Sequence, residues 1–112
     1  MNKEMNENGE NLNEEQQEQL LFMMLIQQHQ QIAMMGLGKI QNPATQEIEK
    51  DLSSAKYAID TLGMLKKYTK GNLSKEASGY LEQTLTNLRL NYAEEAKKAK
   101  DSDTEASEKD NE

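Results

Sequence analysis

NPATQEIEKDLSSAKYAIDTLGMLKKYTKGNLS, residues 42–74, holds a helix start, an apolar stripe and a helix stop in that order. Asn42 is placed to cap free N–H groups, and Pro43 suits a first helical turn, where its missing N–H costs nothing. Thr45 is the alternative cap. From Ile48 the apolar residues Ile48, Leu52, Ala55, Ile59 and Leu62 are spaced 4, 3, 4 and 3, a helical period rather than a strand period. Ala58 and Leu65 widen that stripe. Lys66, Lys67 and Lys70 fall near the negative end of the helix dipole, and Gly71 supplies a left-handed stop. Ser74 then caps a further helix, with Leu73 as its hydrophobic staple. A connection of about four residues makes the two helices antiparallel neighbours.

Working outward, Ala77, Leu81, Leu85, Leu88 and Tyr92 give the third helix its buried face, with spacings of 4, 4, 3 and 4. After Tyr92, AEEAKKAK keeps good helix formers and a Glu94 to Lys98 pair at i,i+4, with nothing to bury. On the N-terminal side, Asn13 is a cap and Glu14, Glu15 and Glu18 sit at the positive end of a first helix. Gly36 and Gly38 stop it. Its segment LLFMMLI, residues 20–26, sweeps nearly two turns and is apolar on every side. A helix apolar all round must be covered all round, and a monomeric three-helix domain leaves one side of each helix in water. Self-association is the simplest cover.

The expected architecture is therefore all-α, with helices over about 14–36, 44–70 and 74–98, as a small helical bundle or coiled coil. The second and third form an antiparallel hairpin packed with the first, completed by homo-oligomerisation. Residues 1–13 and 100–112 are rich in Asn, Glu, Asp, Ser and Lys and are expected to be disordered acidic tails around a domain at 14–99. The net charge of −7 hides an asymmetry: residues 1–19 carry one Lys and six acids, residues 20–100 eleven basic and eight acidic residues, and residues 101–112 one Lys and six acids. The foldable part is slightly basic. With no Cys, thiolate metal sites, disulfides and cysteine nucleophiles are excluded. The longest apolar run is far short of the roughly 20 residues that span a bilayer, and the polar, acidic N-terminal stretch lacks a secretory pattern. A cytoplasmic protein with no membrane partner is expected.

No catalytic, cofactor-binding or metal-ligating constellation stands in the sequence. His29 is the single histidine, and its helical neighbours are mostly apolar. It fits a hydrogen-bonded position in a helix contact or subunit seam, with a pH-sensitive interface as the sharper alternative. Asp60 beside the stripe is the most notable acid, and a salt bridge accounts for it as well as catalysis does. GLGK, residues 36–39, lacks the spacing and strand of a phosphate loop and reads as helix termination. The expected function is a non-enzymatic interaction or scaffolding module without cofactors. Its interface is Phe22, Leu25, Ile26, His29 and Ile32, and its partners are a second copy, a dimer first, and another protein. Two alternatives are weighed: a nucleic-acid-associated protein using Lys66, Lys67, Lys70 and Lys75, and a holdase-like binder using Met23, Met24, Met34 and Met35. Nucleic acid is the lesser one, since the tails are acidic and lysines at a helix C-terminus already have a dipole reason to be there.

The runs LGKIQNPAT, DLSSAKYAIDTLGMLKKYTKGNLS and LTNLRLNY together resemble the bacterial domain-of-unknown-function family numbered eighteen forty-four. Its members show an LG…P.T segment, an IDxLxxL helix and a KTKGNL turn, and the resemblance spans Leu20 to Tyr92. Members often have Gly after Pro-x-Thr. Here Gln46 stands in that place, which favours a continuing helix over a tight turn, and Ala77 stands where a capping-box Glu is common. The resemblance implies an all-helical bacterial cytoplasmic domain and carries over no site residues.

Overall fold

The computed structural model describes the backbone of residues 4–5 and 11–110 and the side chains of residues 12–102. Three helices carry the fold: α1 (Glu14–Gly36), α2 (Leu52–Tyr68) and α3 (Lys75–Asp110). Ahead of α1, Glu4–Met5 pairs antiparallel with Asn11–Leu12 over two residues. The acidic segments expected at 1–13 and 100–112 lie largely outside the described side chains.

α1 starts where its cap requires. The Gln16 N–H donates to Asn13 Oδ1 at 2.8 Å, and the Asn13 N–H donates back to Gln16 Oε1 at 3.1 Å, a reciprocal capping box. It ends in a Schellman turn. Gly38 adopts φ +77, the Lys39 N–H donates to the Met34 carbonyl, and the Gly38 N–H donates to the Met35 carbonyl.

Gly36 does something different from Gly38. A Cβ there would lie 2.6 Å from the Asp51 carbonyl oxygen and 2.8 Å from the Ala55 nitrogen. The end of α1 thus rests directly on the start of α2, and the Asp51 N–H donates to the Gly36 carbonyl at 2.8 Å.

The second helix begins at Leu52, eight residues later than the sequence pattern suggests. Asn42 caps no helix. Its side-chain oxygen accepts from the Ala44 N–H, its carbonyl accepts from the Thr45 and Gln46 N–H groups, and its own N–H donates to the Glu47 carbonyl. These bonds close a turn around Pro43, and Gln46 takes the left-handed conformation, φ +60. The tight turn associated with Gly at this place is therefore present with Gln in it. Ile48 consequently leaves the stripe and stands exposed. Asp51 is the true cap: its carboxylate accepts from the Ser53 and Ser54 N–H groups and from both hydroxyls. Those hydrogen bonds, from the Ser53 and Ser54 hydroxyls first, hold its pKa below the ordinary value.

α2 and α3 form the expected hairpin through Thr69–Ser74. Gly71 adopts φ +86, and the Ala77 N–H donates to the Ser74 hydroxyl at 3.1 Å. α3 runs parallel to α1: Gln19 donates to Glu76 near their first turns, and Lys39, just past the end of α1, reaches Glu95. The core is a single cluster built from Ile26, Ala33 and Leu37, from Ala55, Ala58, Ile59 and Leu62, and from Leu81, Leu85 and Leu88. No helix of the described residues is long and apolar enough to cross a membrane.

Two substitutions test this account. Gly36→Ala improves helix propensity yet should destabilise the protein by about 1–3 kcal/mol in chemical unfolding, because backbone atoms cannot yield to the new methyl. Gln46→Gly should do the opposite and stabilise by up to about 1 kcal/mol, by relieving a left-handed non-glycine residue.

Candidate functional site

The five residues expected at an interface on α1 do not share one environment. Ile26 is fully buried in the core and offers no free surface, and Phe22 packs against that core half-buried. The His29 Nδ1–H donates to the Leu25 carbonyl one turn earlier at 2.9 Å, and the ring is half-buried. Ile32 is exposed and Leu25 half-buried. The bare apolar surface of α1 is displaced from the expected one, to Leu20, Leu21, Met24 and Ile32. In helical projection these lie on the side away from Ile26 and Ala33, with half-buried Leu25 and Met35 beside them. Among the described residues, LLFMMLI is thus covered on one side by α2 and α3 and uncovered on the other. Tyr57, Met64 and Tyr68 stand exposed in a similar way on the outer side of α2.

A second feature sits at the other end of α1. Glu95 is 5% exposed, and both of its carboxylate oxygens are occupied by ammonium groups. Lys50 Nζ donates to Oε1 at 2.5 Å, while Lys98 and Lys39 donate to Oε2 at 3.1 and 3.3 Å. The bonds from Lys50 and Lys98 hold the carboxyl at a pKa of about 2; burial pushes upward against them and loses. Lys39 follows the Schellman turn and Lys50 precedes the Asp51 cap, so one carboxylate of α3 fastens both ends of the α1–α2 connection. Lys98, expected to pair with Glu94, instead bonds Glu95 at i,i+3.

The sequence signal for this cluster lay in spacing. Leu81, Leu85, Leu88, Tyr92 and Glu95 continue a 4, 3, 4, 3 register, which carries Glu95 onto the buried stripe. A carboxylate on such a stripe requires cations, and Lys39 and Lys50 flank the connection that packs there.

Of the four lysines singled out at the hairpin tip, Lys66, Lys67 and Lys70 line one groove of about 480 Å³, and Lys75 does not. Arg89 joins them from α3, lying across Gly63, where a Cβ would come 2.9 Å from its guanidinium. Lys66 lies 3.9 Å from Glu82, and Lys67 stands 5.5 Å from the Tyr68 ring centroid. Asp60 pairs with Lys56 at 2.6 Å on the exposed side of α2, a surface salt bridge as expected.

These elements coincide with a known family. The model of the domain of unknown function DUF1844 matches residues 19–94, which takes in nearly all of α1, the clamped connection, α2 and the core-forming part of α3. The chain belongs to the DUF1844 family. Lys39 and Lys50 fall inside the DUF1844 match, while Glu95 is the first residue after it. No curated protein and no solved structure matches the chain.

Because the unfolded carboxyl titrates near 4.5 and the folded one at about 2, the unfolded chain binds more protons between those values. The stabilisation from Glu95 is therefore complete above about pH 4.5 and is lost as pH falls through about 2. Glu95→Gln should unfold at lower urea concentration than the parent at pH 7, and the gap between the two should narrow as pH is lowered through that window.

Proposed function

We propose that this DUF1844 protein is a non-enzymatic interaction module of the cytoplasm that works through the outer face of α1. One observation carries the reading: Leu20, Leu21, Met24 and Ile32 stand exposed on a helix whose opposite side is fully used by the core. Taking half of one such side chain out of water gains about 1 kcal/mol. Four of them barely offset the cost of association, which is at least about 4 kcal/mol. A polar partner that only shields this face would not stay bound, so the partner must bring an apolar face of its own.

α1 suits that role because it is rigid. A capping box fixes its first turn, a Schellman motif fixes its last, and Gly36 seats it on α2, so little conformational entropy is lost when the face is covered.

The test compares parent protein with a Leu21→Glu, Ile32→Glu variant as baits in native cells. Both changes are at exposed positions and should leave thermal unfolding close to that of the parent. The parent is expected to retain a polypeptide partner that the variant loses. Retention of the same polypeptides by both, with the variant folded, would remove α1 as the working surface.

A further inference from the structure

We infer that the partner covering α1 is a second copy of the same chain, docked antiparallel with the twofold axis passing close to Gln28. This rests on the outer face of α1 being the interaction surface and adds what occupies it and in which direction.

The spacing supplies the first argument. Leu21, Leu25, Gln28, Ile32 and Met35 follow one another at 4, 3, 4 and 3, the repeat that lets two helices pack along a common seam. Leu21 and Ile32 are exposed, Leu25 and Met35 half-buried, and Gln28 is an exposed polar residue at the middle of the row. Two apolar positions lie on either side of Gln28. Reversing the helix direction about Gln28 therefore sets Leu21 against Met35 and Gln against Gln, and brings Leu25 to within one residue of Ile32, the near self-complementarity that a twofold, isologous contact requires. A polar residue inside such a seam fixes how the helices align, since its amide is satisfied only by another polar group.

Charge supplies the second argument and sets the direction. The first turns of α1 carry Glu14, Glu15 and Glu18. Its far end carries Lys39 directly after the terminal turn and, with it, Lys50 and Lys98 around the single carboxylate of Glu95, while the neighbouring Glu49 is engaged by Asn42 and Asp51 by the α2 cap. Parallel pairing would set three glutamates against three glutamates. Antiparallel pairing sets the acidic end of each α1 near the cationic end of the other and aligns the helix dipoles favourably.

The full chain has no cysteine, so a single introduced Cys gives one label per protomer. In light scattering at tens of micromolar, the parent is expected at twice its 12.7 kDa chain mass and Leu21→Glu, Ile32→Glu at the monomer mass. Spin labels at Gln27→Cys, exposed beside the seam and one residue from the axis, should report a short separation between protomers. Labels at Glu18→Cys, ten residues from the axis, should lie about 30 Å apart along the helices, from a rise of about 1.5 Å per residue on each.

A parent monomer, a dimer that survives the two Glu substitutions, or a short separation at both labels would each overturn the antiparallel pairing. A parent monomer that still loses a captured polypeptide on Leu21→Glu, Ile32→Glu would overturn self-pairing and leave the α1 reading in place. Loss of both results would remove the two together.

Discussion

Backbone meets backbone where Gly36 rests on Asp51 and Ala55, and the arrangement of the molecule depends on that approach. Any side chain at Gly36 would lever the start of α2 away from α1. The helices would then separate at the point where Asp51 caps α2 and where Lys50 turns toward Glu95. Seating α2 this way commits Ile26, Ala33 and Leu37 to the core. The same commitment leaves Leu20, Leu21, Met24 and Ile32 on the side that no other element of the described residues covers. The exposed face of α1 follows from how its other face is packed.

Polar groups then fix what the apolar core leaves free. Leucines and alanines tolerate small rotations of α3 against the other two helices, whereas a buried carboxylate between three ammonium groups does not. Glu95 holds α3 in register with the end of α1 and the start of α2 at once. Its burial is sustainable because both oxygens are bonded and because the lysines keep much of their own surface in water.

Wherever local chemistry is self-sufficient, the fold is legible in the sequence. Asn13 and Gln16 cap α1 by themselves, Gly71 and Ser74 punctuate the hairpin by themselves, and Ala55, Ile59 and Leu62 mark the inner face of α2 by period alone. The start of α2 is misread because Asn42, Pro43 and Thr45 suit a helix start and a closed turn equally well. The choice falls to the turn once Gln46 goes left-handed and Asp51 offers a cap that bonds two serines. The α1 surface is legible as an excess of apolar residues, since LLFMMLI cannot be hidden by two neighbours, but not as a direction. Which arc of α1 faces the core is set by Gly36 and by packing on α2, so Ile26 and Phe22 are drawn inward and Leu21 and Met24 are left outside. The stripe register marks Glu95 as buried, but its partners Lys50 and Lys39 lie 45 and 56 positions away, and no local pattern names them.

The clamp on the α1–α2 connection also bears on protein engineering. With Lys39 and Lys50 tied to one carboxylate, the ends of the segment between them stay at a fixed separation whatever that segment contains. The entropic cost of a longer closed loop rises only logarithmically, about 0.6 kcal/mol for each doubling of length. Residues 43–47 form an exposed turn between those fastened ends. They make a natural port for grafting an epitope, a tag or a second small domain, with the helices and their bare face left undisturbed.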